Sequence, residues 1–313
     1  LWSSFATALP GVLAFGSDLD ARLTSTSVSP VEAPGASPAD PSRLPASSLQ
    51  ESRIRLGGVV TWHLGHAWLQ AVAVALQADI FAGNRSSDGI GAALAADELL
   101  SADNDPFAKA QHQLRRFSLR AEGRFGRIEA GRMVSKWGLG VLAQDGSDES
   151  YQFGLKRRGA IVDRVQLALL PAGLFGDGSA LAIVPLALIV AADSVVQDDL
   201  ADRDRGDKAS QLIAALLMRY PEIELGAYGV SRTQRDAAGL GLDVWVGDVY
   251  ALWHRRFGKT RVQLATEWLT VRGTTTWFRT STSGDSLKVD QVGGLVRARV
   301  ERRNIGLQFD AGY

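Results

Sequence analysis

The sequence predicts an all-β fold, an antiparallel up-and-down transmembrane barrel of about 14 or more strands. Three features predict it: strict two-residue alternation of apolar and charged side chains, runs longer than soluble strands, and short turns alternating with long polar loops.

The clearest stretch is 114–142, LRRFSLRAEGRFGRIEAGRMVSKWGLGVL, read as two strands folded back at Phe125, Gly126 and Arg127. Phe117, Leu119, Ala121, Gly123 and Phe125 alternate with Arg116, Ser118, Arg120, Glu122 and Arg124. A helix would scatter those charges around its circumference, whereas a strand puts them all on one face. On the return arm, Ile128 and Ala130 continue the apolar face, but Trp137, Leu139 and Val141 have the opposite parity. A β-bulge between Gly131 and Lys136 would restore the pattern and is expected there. Each arm has about twelve to fifteen strand-like residues. Soluble strands average about 5 to 6, and a tilted membrane strand needs about 9 to 11.

Composition excludes several classes. With 34 Lys plus Arg against 34 Asp plus Glu, the chain has no global attraction to nucleic acid. Cysteine is absent, so disulfides and thiolate metal sites are excluded. The apolar run Ala180 to Ala192 is interrupted by Pro185 and is shorter than the 18 or so residues of a membrane helix. No signal peptide precedes Leu1, so export implies a processed or truncated chain.

In chain order, 12–24 reads as a strand and the proline-rich stretch 25–50 as a loop. Strands are expected at 53–62 and 67–82, followed by a long connection, 83–113, in which IGAALAADELL has helical composition. After the 114–142 hairpin come 151–156 and 160–170. Further hairpins pair 210–220 with 222–232 at Pro221, 242–257 with 259–272 at Gly258, and 287–302 with 304–313 at Arg303 and Asn304. The segment 180–193 is apolar on both faces. It either extends the sheet into a loop or packs inside, and counting it as a span would reverse the next hairpin. The whole of 1–313 is read as one barrel domain.

Charge sorts by connection type. Loops 83–113, 143–149 and 192–209 together hold 14 acidic and 5 basic residues. The short turns are basic, with Arg124, Arg127, Lys156, Arg157, Arg158, Arg219, Arg255, Arg256, Lys259, Arg261, Arg302 and Arg303. The two ends of the sheet therefore differ in sign.

At GRMVSKWGLGVLAQDG, residues 131–146, the sequence resembles Gram-negative outer-membrane barrels of the porin and alginate-export type. It is most similar there to an uncharacterised family of predicted myxobacterial outer-membrane proteins, in which a Gly-Arg-Met segment runs into a Trp-Gly-Leu-Gly strand. The similarity covers about thirty residues. It implies outer-membrane location and a barrel fold, and it supplies no substrate and no catalytic residue.

The residues placed on the lumen face by alternation are Arg53, Arg55, Arg116, Arg120, Glu122, Arg124, Glu129, Arg164, Gln166, Arg261, Gln263, Glu267, Arg297, Arg299 and Glu301. An excess of Arg over Glu would favour anions in a conducting lumen. The same residues would equally serve as an internal brace in a closed barrel. His63 and His66 straddle a turn and lack the glutamate of a zinc helix, and Asp202, Asp204 and Gly206 lack the closing glutamate of a calcium loop. His254 shares strand parity with Asp248 and Tyr250, but no serine accompanies them. No metal, cofactor or catalytic residue is assigned.

The leading expectation is a passive outer-membrane channel for small polar or anionic solutes, in contact with membrane lipid and lipopolysaccharide, and not an enzyme. The alternatives are a non-conducting structural or anchoring barrel and an outer-membrane hydrolase. Ile305, Leu307, Phe309, Ala311 and Tyr313 alternate up to a final aromatic. Strand direction nevertheless places Tyr313 on the outer side, and thirteen spans are counted without 180–193. Single-chain bacterial barrels have even strand numbers. At least one more strand is therefore expected after Tyr313, with an open seam between first and last strands.

Overall fold

The computed structural model describes residues 11–28, 47–66, 68–86, 112–146, 159–171, 185–198, 200–277, 286–302 and 305–313. Thirteen strands form one sheet in sequence order, each beside its chain neighbours. They are β1 (Leu13–Val28), β2 (Ser47–His63), β3 (Ala71–Ser86), β4 (Gln113–Gly123), β5 (Gly126–Val134), β6 (Ile161–Leu169) and β7 (Leu186–Gln197). They continue as β8 (Lys208–Arg219), β9 (Ile223–Arg235), β10 (Gly241–Phe257), β11 (Thr260–Thr275), β12 (Leu287–Arg302) and β13 (Ile305–Gly312). A 3-10 turn, Arg203–Arg205, lies between β7 and β8. The fold is thus an all-β, antiparallel up-and-down barrel-class sheet. In the sheet order, β1 neighbours only β2 and β13 only β12.

Packing divides the chain into two units. One comprises Phe15–Val60 and Ala75–Phe117, and within it Arg55 is buried against Asp79, at 2.6 Å, with Arg115 3.5 Å from the same carboxylate. The other comprises Leu1–Ala14, Thr61–Val74 and Ser118–Tyr313 and carries the rest of the sheet.

Within the larger unit the alternation seen in the sequence becomes two faces. Phe117 belongs to the smaller unit but begins the same pattern. Phe117, Leu119, Phe125, Leu264, Trp268, Val296 and Val300 are exposed, with Val262 half-buried among them. The opposite face is not uniformly polar. Ala191, Ile213, Val230, Leu242, Val244 and Val246 form one apolar cluster there, and Met133, Val162, Val195, Ala201 and Ala209 form another.

Three expectations need correction, the first being the loop at 25–50, which β1 enters as far as Val28 and β2 from Ser47 on. Of the apolar segment 180–193, the described part from Leu186 on begins β7, a strand of the sheet that pairs with β8 from Leu186 and with β6 from Leu188. Its period is hidden because both faces are apolar: Leu188 and Val190 point outward, while Ala187 and Ala191 are buried inside. The loop expected at 192–209 correspondingly shrinks to 198–207. The return strand expected to reach residue 142 stops at Val134. No bulge interrupts β5, whose residues from Gly126 to Val134 pair continuously with β6; the register shift lies at Ile161 and Val162, opposite β7. The parity change has another cause, that the chain leaves the sheet. The expected strand at 151–156 and helical stretch within 83–113 lie outside the described residues.

Candidate functional site

After Val134 the chain turns off the wall. Ser135 N–H donates to Ala160 O at 3.0 Å, and Ala160 N–H donates to Gln144 O at 2.8 Å, which ties the two ends of the segment together. Between them, Trp137 N–H donates to Ala143 O at 2.9 Å and Gly140 N–H to Trp137 O at 2.9 Å. These bonds satisfy backbone groups that a buried non-sheet segment would otherwise leave costly.

The segment is buried against the inner face. The Trp137 ring stacks on Tyr228 at 4.9 Å between centroids, 24° from parallel. Trp137 and Ala143 pack with Ala215, against Ile189, Leu217 and Tyr228, while Leu139 packs with Tyr250, Ala265 and Leu295. Two small residues permit the approach. Gly226 has no Cβ where one would meet the Trp137 ring at 2.8 Å. Gly138 takes φ +49°, and a Cβ there would stand 2.5 Å from Glu267 Oε2.

Two buried carboxyl groups fix the segment. Trp137 Nε1–H donates to Asp248 Oδ1 at 2.8 Å, and Leu139 N–H donates to Glu267 Oε2. Asp248 and Glu267 lie diagonally on the same face of neighbouring strands, β10 and β11. Their remaining oxygens, Asp248 Oδ2 and Glu267 Oε1, are buried and accept no hydrogen bond. A buried acceptor left without a donor costs about 1–3 kcal/mol, so this pair is held by its surroundings rather than by its own satisfaction.

Around it runs a cross-strand network. Ser118 donates to Glu129 at 2.8 Å, and Gln166 donates to the same carboxylate at 3.3 Å. Arg164 makes a two-pronged pair with Asp193, 2.7 Å at each prong, and also donates to Ser135 Oγ at 3.1 Å. Arg132 and Arg203 both hold Asp163, at 2.9 and 2.8 Å. Arg232 holds Asp198 at 2.5 Å and Arg297 holds Asp310 at 2.7 Å. Fork-shaped Arg–carboxylate pairs fix geometry as well as charge.

The residues expected on the lumen face fall into three groups. Arg55, Glu129, Arg164, Glu267 and Arg297 lie on the inner face, engaged by the partners just described. Arg120 pairs with Glu122 at 3.0 Å and Arg299 with Glu301 at 2.5 Å, all four half-buried, as is Arg116. Arg124 and Arg261 lie at the turn ends of their strands, where both are exposed. Arg124 is exposed in the turn between β4 and β5, its guanidinium 5.8 Å over the Phe125 ring, and Arg261 is exposed one residue into β11. The side chain of Arg53 lies outside the described residues.

Sequence reasoning missed Arg115 and the aspartates. Arg115 is 1 % exposed although its parity matches outward-facing Phe117, so the alternation breaks there. Asp79, Asp163, Asp193, Asp198 and Asp310 are aspartate acceptors of these arginines, and one signal was available. The β12–β13 turn sets Arg297 opposite Asp310 by counting back from Arg302 and Ile305. His254 gains no carboxylate partner from Asp248, whose Oδ1 accepts from Trp137.

A long antiparallel meander with an apolar outer face and charged side chains inside is the architecture of outer-membrane barrels. The chain is of that fold class. No protein-family model and no curated protein matches the sequence. Among solved structures it is similar to OmpT, an outer membrane protein of Vibrio cholerae in its trimer form. The identity is 12%, with 97% of this chain and 88% of that one covered, and the TM-score is 0.42. It is similar also to Salmonella typhi OmpF in complex with daunomycin (11%, covering 97% and 90%, TM-score 0.41). A third is an anion-selective porin from Comamonas acidovorans (12%, covering 93% and 90%, TM-score 0.32).

Proposed function

We propose that the protein is a passive channel for small polar or anionic solutes whose passage is narrowed by the segment 135–146. The observation that carries this reading is the segment itself. It lies on the inner face, anchored by Asp248 and Glu267 through Trp137 and Leu139 rather than by apolar packing alone. A barrel that served only as an anchor has no use for a chain segment pinned inside its wall. Selectivity then falls to the inward cations in more exposed pairs, Arg120 and Arg299, together with Arg116. Arg55 and Arg164 are neutralised by buried aspartates, and Arg297 by the half-buried Asp310. The reading assigns no catalytic residue and no cofactor, and it leaves the acidic loops to meet lipopolysaccharide through bridging cations.

Those neutralised pairs favour a second reading, a non-conducting barrel braced from within. Single-channel recording in a planar bilayer separates the two. Discrete conductance steps support the channel, and an inserted protein that passes no current supports the brace.

A further inference from the structure

The β10–β11–β12 end at the short turns carries a cluster of cations that the channel reading does not use. In register, Arg256 stands directly opposite Arg261, and Phe257, Thr260 and Arg302 form the last row. Like charges directly opposite each other destabilise a sheet. Arg256, Lys259, Arg261 and Arg302 have no side-chain hydrogen bond or ion pair among the described residues, and all four are exposed. Arg255 has one weak contact, Glu222 at 3.6 Å, with both side chains about half exposed. Glu301, the acid opposite Arg261, is already held by Arg299. The end of this hairpin therefore has more positive charge than the protein itself answers.

Alternation divides the cluster by face. Arg256 and Arg261 share the inward parity of Tyr250 and Glu267, whereas Arg255, Phe257 and Arg302 share the outward parity of Val249 and Val300. Arg255 lies in the same row as Val262, Val300 and Leu307 of the apolar belt. Its guanidinium is 5.6 Å over the Phe257 ring, one step nearer the turn. This is how an arginine on an apolar face carries its charge out to the headgroup level. The row Phe257, Thr260, Arg302 then places an aromatic face, a hydroxyl and a second cation beside it.

We infer that Arg255, Thr260 and Arg302 form a site for the phosphate headgroup of an anionic phospholipid, with its acyl chains on Val262, Leu264 and Val300. The proposal rests on the membrane-barrel reading and not on conduction. Charge complementarity selects an anion, and continuity with the apolar belt selects a lipid over a soluble solute. Surface cations each raise binding of anionic lipid by about fivefold.

The test is native mass spectrometry of the full chain released from bilayers of phosphatidylcholine with or without phosphatidylglycerol. The parent is expected to retain phosphatidylglycerol selectively. R255Q with R302Q should lower that retention about twenty-five-fold, while R256Q with R261Q, altering the inward pair, should leave it near the parent value. Equal retention by R255Q/R302Q, or equal loss in R256Q/R261Q, would overturn the site. So would displacement of the lipid by excess inorganic phosphate, since a free anion would then suffice. Failure of the parent to insert into either bilayer would instead overturn the barrel reading beneath it.

Discussion

At the scale of single residues, Trp137 is the side chain on which the inner segment depends. It makes the only stacked ring contact described on that face and one of the two bonds to the buried acids. Trp137→Phe keeps most of the ring but removes the indole N–H, leaving Asp248 with neither oxygen bonded. A loss of about 1–3 kcal/mol is expected in urea unfolding from detergent. Asp248→Asn should act in the opposite sense. The amide oxygen can still accept from Trp137, and the new N–H adds a donor on the strand beside the partnerless Glu267 oxygen, so stability should hold or rise by about 1 kcal/mol. A destabilisation comparable to that of Trp137→Phe would show that the two carboxyl groups are not adjacent as described. Gly226→Val crowds the Trp137 ring and should shift its fluorescence emission toward that of solvent-exposed indole.

At the scale of elements, the strands divide into those whose two faces differ and those whose faces do not. β4, β11 and β12 alternate apolar with charged residues, so their period survives in the sequence and their outward residues were identifiable from it. β7 presents apolar residues on both sides because the inner side meets the Trp137 and Val230 clusters, and two-sided burial erases the period. The same burial misled the reading of Trp137, Leu139 and Val141. Their change of parity marks a departure from the sheet, which in one dimension looks the same as a bulge. Arg115 was missed because adjacent arginines offer no choice of face until Asp79 on another strand is known to lie near. For the outward residues, Leu119→Arg and Val296→Arg should each cost about 2–4 kcal/mol at the bilayer midplane. Normal insertion and unchanged unfolding of both would show that these faces do not meet lipid. Inside, Asp193→Asn breaks the Arg164 fork and should cost about 3–5 kcal/mol, the penalty of a buried charge left uncompensated.

At the scale of the whole molecule, most strands and their up-and-down order were legible, β7 excepted, because hairpins need only local pattern and short connections. The inner segment was not, because its partners, Tyr228, Asp248 and Glu267, lie on three strands far along the chain. The network has the same origin: aspartates and arginines meet only once strand register is set. This shifts the expected basis of selectivity. Arg297 is committed to Asp310, so replacing it by Gln should chiefly destabilise the β12–β13 pair. Replacing Arg116, Arg120 and Arg299 by Gln should move the reversal potential in a salt gradient away from anion preference, with unfolding little changed.

The central claim, that this barrel conducts through a passage narrowed by residues 135–146, is tested most directly by single-channel conductance in a planar bilayer. The parent and a variant with both anchors removed, Trp137→Ala with Glu267→Gln, would be recorded side by side. The account predicts discrete openings for the parent and larger, noisier openings for the variant, whose segment no longer holds its place. An inserted parent and variant that both remain silent, or that open to the same size with the same noise, would contradict it.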